Sequence, residues 1–462
     1  MVFHNVSKLN IVILAAGVGK RMQSSLPKVL HSLAGKSLLM HVIEAARALS
    51  PDKICIVYGH GGDIVPQTIT DDDLIWVKQV PQLGTGHALM QSLPQLDQDG
   101  ITLVLYGDVP LVSIDTLEKL SLASEEKYCA LLTAVLERPF GYGRIVRDHK
   151  THKISAIVEE KDANAVQQEI CEINTGVMII PNFYIHDWLP QLENNNAQQE
   201  YYLTDIIAMA VNQGIRVATA QPANLWEIMG VNSKMQLAEL ERVYQSEYAN
   251  KLLIQGVHLA DPSRIDIRGH LTCGNDTTID INCIFEGNVY LGDRVTIGAH
   301  SILKNVTVSA GTAIAPYSLI EDAEIGENCK IGPYARIRPG TKLASKVHVG
   351  NFVEVKNSQI DVGSKANHLS YIGDAIIGEN VNIGAGTITC NYDGAYKHQT
   401  IIEDNVFIGS DTQLVAPVKV AKGSTIGAGS TITKDTPEEE LTLSRSKQVS
   451  ISGWKRPKKY KV

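Results

Sequence analysis

Ile325-Gly-Glu-Asn-Cys-Lys-Ile-Gly332 decides the fold of the second half of this chain. An aliphatic residue followed by glycine stands at 325–326 and again at 331–332, six positions on. The same pair recurs at Leu291-Gly292, Ile297-Gly298, Val349-Gly350, Ile372-Gly373, Ile377-Gly378, Ile383-Gly384, Ile408-Gly409 and Ile426-Gly427. Positions 331 and 349, like 408 and 426, differ by 18. A period of six with three units per 18 residues is a hexapeptide repeat, one flat side of a triangular coil per unit. The aliphatic residue points inward and stacks on its equivalent one coil away, so many coils must pile up before any apolar side is buried. Between Ile383 and Ile408 the phase breaks, and the polar, aromatic segment Thr389–Thr400 falls in the gap. It reads as a loop ejected from the coil, the kind of segment that builds binding sites on a rigid scaffold.

Upstream the texture differs. Leu9–Leu14, Ile54–Tyr58, Leu74–Val77 and Ile101–Tyr106 read as short apolar strands, and 38–49 and 87–93 as helices. That alternation predicts an α/β domain with a mostly parallel sheet, whose ligands bind at the carboxyl ends of strands. Residues 233–255 carry Leu237, Leu240, Tyr244, Tyr248 and Leu252 on one helical face, with Ser233 and Gln236 as a capping box and Gly256 as terminator. The expected division is therefore 1–232, a linker helix over 233–255, and a solenoid over 256–462.

The 462 residues, 44% apolar and 20% charged, exceed one compact core. A net charge of -8 argues against nucleic acid as the main partner. The basic run Lys455, Arg456, Lys458, Lys459, Lys461 reads either as a solubilising tail or as part of an anionic-ligand site. Seven scattered cysteines without a Cys-x-x-Cys pair fit neither a disulfide framework nor a structural zinc site. No secretory leader and no 18-residue apolar window is evident, so the expectation is a soluble protein of a reducing compartment, without stable membrane insertion.

Two sets of polar residues carry the chemistry. The first strand runs into Leu14-Ala-Ala-Gly-Val-Gly-Lys-Arg-Met22, with Pro27-Lys28 behind it. A glycine-rich loop after a strand offers amides to phosphates, and Arg21 and Lys28 add charge; the spacing is neither Walker A nor Gly-x-Gly-x-x-Gly. Asp108, ending Tyr106-Gly107-Asp108, suits either a hard cation or a turn. In the solenoid, Arg338 and Lys356 lie one 18-residue coil apart, and two stacked cations repel unless an anion separates them. That predicts a phosphate site, with solvated surface cations as the alternative. His368 is a candidate general base or a structural histidine.

Leu14-x-Ala-Gly-x-Gly-x-Arg-Met with Pro27-Lys-Val-Leu30 resembles the signature of sugar-nucleotide pyrophosphorylases. Gln82-Leu-Gly-Thr-Gly-His-Ala88, Gly141-Tyr-Gly-Arg-Ile145, Glu159 with Lys161-Asp162, Asn174-Thr-Gly176 and Asn194–Gln198 narrow the resemblance. From Leu9 to Trp454 the chain is similar to the bacterial bifunctional N-acetylglucosamine-1-phosphate uridyltransferases/glucosamine-1-phosphate N-acetyltransferases. The resemblance implies a Rossmann-like nucleotidyltransferase domain followed by a left-handed parallel β-helix, the hand coming from the resemblance alone. It implies acetylation of glucosamine-1-phosphate by acetyl-CoA, then transfer of UMP from UTP to give UDP-N-acetylglucosamine and pyrophosphate, in a cytoplasmic homotrimer that feeds peptidoglycan and lipopolysaccharide synthesis. In the first site it assigns Leu14, Ala15, Ala16 and Gly17 to the nucleotide, Lys28 to phosphate, Gln79, Gly84 and Thr85 to the base, and Arg21 to the pyrophosphate side. It counts Tyr106, Gly107, Asp108 and Asn232 among the groups that bind UTP and the sugar nucleotide, with Asp108 and Asn232 also holding Mg²⁺, while Gly143, Glu159 and Asn174 contact the sugar. In the second site His368 is the base, Arg338, Lys356, Tyr371 and Asn382 hold the sugar phosphate, Asn391 and Tyr392 serve acetyl transfer, and Ala385, Ser410, Ala428 and Arg445 line the acetyl-CoA side. The alternatives are a single-activity nucleotidyltransferase whose solenoid only oligomerises, and a non-enzymatic scaffold.

Overall fold

The computed structural model describes residues 8–17 and 19–459, which leaves Lys461 of the basic run outside the described residues. The chain forms two compact units, Met1–Tyr244 and Gln245–Val462.

The first unit is built on β1 (Leu9–Leu14), every residue of which is buried. Its side chains alternate between two cores, Ile11 and Ile13 in one, Val12 and Leu14 in the other, as the two-residue strand period requires. Helices therefore cover both faces, among them α1 (Leu38–Ala48) on the first and α2 (Thr85–Ser92) on the second. Around β1 lie β2 (Lys53–Tyr58), β3 (Leu74–Lys78) and β4 (Ile101–Tyr106). Beyond β4 come β5 (Cys129–Val135), β6 (Arg144–Arg147), β7 (Ile154–Val158), β8 (Glu172–Pro181) and β9 (Val217–Ala220). The order along the main path is β9-β5-β8-β4-β1-β2-β3. It is parallel except for β8, which runs antiparallel to both β4 and β5. The chain goes from β1 outward to β2 and β3, then returns to place β4 on the other side of β1. Strand order reverses there, and the carboxyl ends of β1 and β4 open the crevice in which such sheets bind ligands.

A long helix, Lys234–Ile254, follows. Its start departs from the expected capping box. The Gln236 amide N–H donates to Ser233 Oγ at 3.3 Å, but the Gln236 side chain accepts from the Asn232 amide at 2.8 Å rather than from Ser233. Leu237, Leu240 and Tyr244 pack in the first unit, while Tyr248 and Leu252 join the solenoid core.

The second unit is a parallel β-helix of short strands. The inward residues stack as expected: Ile279 on Ile297, Ile297 on Ile314, Ile314 on Ile331, Ile331 on Val349, Val349 on Ala366, Ala366 on Ile383, Ile383 on Ile408, and Ile408 on Ile426. The uniform period of 18 does not hold, since several of these partners are 17 apart. The corners show why. Left-handed residues mark three corners per coil, for instance Asn305, Gly311 and Tyr317, then Asp322, with a five-residue third side. The side from Tyr334 to Gly340 keeps six. Two corners use mostly Gly, Asn and Asp, which tolerate this conformation. The third uses His300, Tyr317, Tyr334, Phe352 and Leu369. The first four of these rings stack at centroid spacings of 4.9, 5.0 and 5.3 Å. The ejected loop is present, because Cys390 ends one strand and Thr400 begins the next. Among the described residues the cysteines are free, and no helix is long and apolar enough to cross a membrane.

Candidate active sites

At the switch point, Leu14 pairs in register with Tyr106, and the Gly107 amide donates to the Leu14 carbonyl at 3.0 Å. The glycine loop and the Tyr106–Asp108 turn therefore leave the sheet side by side. They open a cavity of about 410 Å³ lined by Leu14, Ala15, Ala16, Gly17, Lys28, Gln79, Gly84, Thr85, Tyr106 and Asp108, together with Val29, Gln82, Ala88 and Glu200. Gln79 is buried, and its Nε2 donates to the Gly84 carbonyl at 3.0 Å, which fixes one edge. Lys28 Nζ donates to Asp108 Oδ2 at 2.5 Å and to Asn232 Oδ1 at 3.0 Å. Two oxygens from distant parts of the sequence thus converge on one positive charge. Among the described residues no group of three or more His, Cys, Asp or Glu could hold a metal. The Asp108–Asn232 pair nevertheless has the hard oxygen character that Mg²⁺ takes when substrate phosphates and water complete its shell. Arg21 is exposed on the short turn Lys20–Met22 and does not line the cavity.

The residues expected at the sugar meet beside this cavity. The Asn174 amide donates to the Gly143 carbonyl at 2.8 Å, and a Cβ on Gly143 would sit 3.3 Å from Glu159 Oε2. Asn174 Oδ1 accepts from the Gly176 amide at 3.1 Å. Gly176 has φ +87° and lies against Tyr106, so any side chain there would strike the ring. Burial pushes the Glu159 carboxyl above its ordinary range, opposed by a hydrogen bond from Thr204 Oγ1 at 3.0 Å. Burial likewise raises the Tyr106 phenol. Sequence reasoning did not single out Gln82, Glu200 or Thr204 as functional. Gln82 opens the Gln82–Ala88 stretch, whereas nothing in the local sequence marks Glu200 or Thr204.

In the solenoid the stacked cations Arg338 and Lys356 do not require a bound anion, contrary to expectation. Arg338 does sit over the coil that carries Lys356, its amide donating to the Val355 carbonyl at 2.8 Å. Each cation, however, has a carboxylate of its own: Arg338 Nη1 lies 2.7 Å from Glu354 Oε1, and Lys356 Nζ lies 3.6 Å from Asp374 Oδ2. Interleaved carboxylates relieve the repulsion, so stacking does not by itself require a bound anion. Asn391 is buried and donates to Asp374 Oδ2 at 2.5 Å, with its Nδ2 also 3.5 Å from the Tyr371 hydroxyl. Arg338, Lys356, Tyr371 and Asn391 thus share one side of the coil.

Most of the other expected residues lie at or beside the third corner. His368 is exposed and precedes the corner residue Leu369, whose carbonyl accepts from the Gly386 amide at 3.1 Å. Ala385 O accepts from Asp411 N at 2.7 Å, Ser410 O from Gly429 N at 2.8 Å, and Ala428 O from Arg445 Nη1 at 3.0 Å. These residues form a column along the solenoid axis. Asn382 pairs with Lys365 and Phe407 on the sheet leading to that corner. No hydrogen bond among the described residues joins it to the Asp374 group. Tyr392 is exposed on the loop, its ring capped by Lys397 Nζ at 4.2 Å.

A switch-point cavity in an α/β unit, joined to a hexapeptide solenoid with its own polar column, defines a nucleotidyltransferase fused to a hexapeptide-type transferase. Family models agree: MobA-like NTP transferase domain over residues 11–253, GMPPB C-terminal domain over 267–360, and bacterial transferase hexapeptide (six repeats) over 399–434. The chain is 69% identical over 454 residues to the bifunctional protein GlmU of Nitrosospira multiformis, covering 98% of this chain and 99% of that protein. It is 64% identical over 455 residues to the bifunctional protein GlmU of Nitrosomonas eutropha, at 98% and 99% coverage. The chain belongs to the GlmU family of bifunctional proteins, and it is an enzyme with uridyltransferase and acetyltransferase activities.

Proposed function

We propose that the solenoid acetylates glucosamine-1-phosphate with acetyl-CoA, and that the α/β unit then transfers UMP from UTP to the N-acetylated product, releasing pyrophosphate. The observation that carries this is the convergence of Leu14–Gly17, Lys28, Gln79, Gly84, Thr85, Tyr106 and Asp108 on one cavity at the switch point.

In the uridylyl step the sugar phosphate oxygen attacks the α-phosphorus of UTP in line. The nucleophile is already an anion, so positioning and charge neutralisation carry the catalysis. Loop amides at 15–17 and Lys28 hold phosphates, Arg21 serves the departing pyrophosphate, Gln79, Gly84 and Thr85 read the base, and Gly143, Glu159 and Asn174 hold the sugar. Asp108 and Asn232 would hold Mg²⁺, which when bound supplies positive charge against the phosphates. In the acetyl step Arg338, Lys356, Tyr371 and Asn382 bind the sugar phosphate, and His368 takes a proton from the amine as its nitrogen attacks the thioester carbonyl; the C–S bond then breaks and coenzyme A leaves as the thiolate, which takes up a proton. Asn391 and Tyr392 stand at the reacting groups, and Ala385, Ser410, Ala428 and Arg445 receive acetyl-CoA.

We read the assembly as a cytoplasmic homotrimer serving cell-wall and lipopolysaccharide precursor synthesis. Support for self-association is the exposed ring ladder, with Tyr317 49%, Tyr334 46% and Phe352 59% exposed. The separation of Asn382 from the Arg338–Lys356 group also fits sites completed between copies. The test is a coupled assay, thiol release from acetyl-CoA with glucosamine-1-phosphate followed by pyrophosphate release on adding UTP, with mass measured by light scattering. Absence of either product, or a monomer active in both steps, overturns the corresponding part.

A further inference from the structure

Several parts of the acetyl-transfer region converge on the carboxylate of Asp374. Its side chain is only 12% exposed. Oδ1 accepts from Asn357 Nδ2 at 2.6 Å, Oδ2 accepts from Asn391 Nδ2 at 2.5 Å, and Lys356 Nζ lies 3.6 Å from Oδ2. The main chain extends the same links. The Asp374 amide donates to the Lys356 carbonyl at 3.0 Å, and its carbonyl accepts from the Thr400 amide at 3.2 Å. One residue therefore grips the ejected loop at its exit, through Asn391, and at its re-entry, through Thr400. The same residue holds the coil that bears Lys356.

The packing beside it is equally specific. A Cβ on Gly373 would lie 2.5 Å from the Tyr371 hydroxyl and 2.7 Å from Asn391 Nδ2, so both side chains close over that glycine. Thr389 Oγ1 accepts from the Gly373 amide at 2.7 Å. Burial alone would raise the Asp374 carboxyl. The hydrogen bonds from Asn357 and Asn391 and the charge of Lys356 outweigh it and hold the group below its ordinary range. Asp374 also occupies a left-handed corner, φ 51°, which aspartate and asparagine both tolerate.

We propose that Asp374 is a positioning residue for acetyl transfer: it sets the 391–399 loop in register with Lys356, so that the acetyl-transfer groups and the sugar-phosphate cation face the same substrate. This rests on the acetyl-transfer site as assigned above. Asp374 touches no substrate atom in this scheme and acts through Asn391 and Lys356.

The test is Asp374→Asn in the full-length protein. Asparagine keeps the size and the backbone conformation, but its amide turns a donor toward the donors of Asn357, Asn391 or Lys356. Misplacement of reacting groups by about an ångström costs on the order of 10²-fold. The expected result is a kcat for acetylation lowered roughly 10–100-fold, with KM for glucosamine-1-phosphate unchanged or lower, because Lys356 loses its competing carboxylate. Uridylyl transfer should be unchanged. Amide hydrogen exchange should accelerate in 391–399 and not in the solenoid strands. Lys356→Ala, run beside it, should raise that KM. If Lys356→Ala leaves kcat and KM at parental values, the site assignment fails. If Lys356→Ala raises KM while Asp374→Asn acetylates within about threefold of the parent, or leaves loop exchange unchanged, the positioning role fails. Should Asp374→Asn not fold, the double variant Asp374→Asn/Asn391→Asp restores an amide–carboxylate pair with its ends exchanged. Parental loop protection in it supports the proposal; fast exchange, or failure of both variants to fold, refutes it.

Discussion

Asp108→Asn separates the roles of the carboxylate at the switch point. In the folded chain Asp108 and Lys28 are 2.5 Å apart, with side chains 16% and 11% exposed, and Asn232 Oδ1 is the second acceptor for the ammonium. Exposed ion pairs contribute about 0–1 kcal/mol, whereas removing one partner of a buried pair costs about 3–5 kcal/mol. This pair is nearer the buried case, but asparagine keeps a carbonyl acceptor for Lys28. A loss of about 2 kcal/mol follows, and for a unit of this size the melting temperature should fall on the order of 4–8 °C. Function should fall further, because groups aimed at developing charge are worth roughly 10²–10³ in rate. UTP binding gives the diagnostic sign. Without Mg²⁺ the variant should bind UTP at least as well as the parent, since an anion facing the triphosphate has gone. With Mg²⁺ it should fail to gain affinity. Calorimetric titration of UTP with and without Mg²⁺, pyrophosphate release, and thiol release from acetyl-CoA on the same preparation measure all three. Uridylyl transfer within about threefold of the parent, or an equal Mg²⁺-dependent gain in UTP affinity, would falsify the assignment of Asp108 as a cation ligand. An equal loss of acetylation would sink the independence of the two sites.

His368→Ala should lower kcat for acetylation roughly 10²-fold across about pH 6–9 with a smaller effect on KM, and a folded variant that acetylates at the parental rate makes the histidine structural. Glu159→Gln should lower uridylyl transfer yet stabilise the first unit at neutral pH. The buried carboxyl has a raised folded-state pKa, so its ionisation opposes folding as pH rises through that value, and the gain should shrink as pH falls into the ordinary carboxylate range. Melting curves at pH 5 and pH 8 check this, and a stabilisation independent of pH contradicts it. Gly176→Ala would put a Cβ 2.5 Å from Tyr106 Cε2 at φ +87°; it should cost more than the roughly 1 kcal/mol of a left-handed alanine and raise KM for the sugar nucleotide in reverse pyrophosphorolysis. An unchanged KM would show that the position of the Tyr106 ring does not govern sugar-nucleotide binding.

The solenoid was legible because its signal is periodic and local. Each inward Ile or Val needs an apolar partner one coil away, so the pairs Ile331 with Val349 and Ile408 with Ile426 declare their stacking in the sequence. The strands Leu9–Leu14 and Ile101–Tyr106 were legible for a similar reason, being mostly apolar runs bounded by turn residues, buried along their length except at the half-buried Tyr106. Side lengths of five, six or seven residues were not, because dropping a residue at a corner costs little once the corner is left-handed and leaves the inward pattern almost intact. The nucleotide loop was readable as a motif, but its partners were not. Nothing in the local sequence brings Asn232 to Lys28, 204 positions away, or lays Glu200 along the cavity. The cations Arg338 and Lys356 were seen, and their carboxylates Glu354 and Asp374 were overlooked. Periodicity records which residues face inward; it holds no information on which outward side chains reach one another across coils. That is decided by the stacking of coils and the corner geometry, and so it is the tertiary structure alone that makes Asp374 the meeting point of Lys356, Asn357 and Asn391.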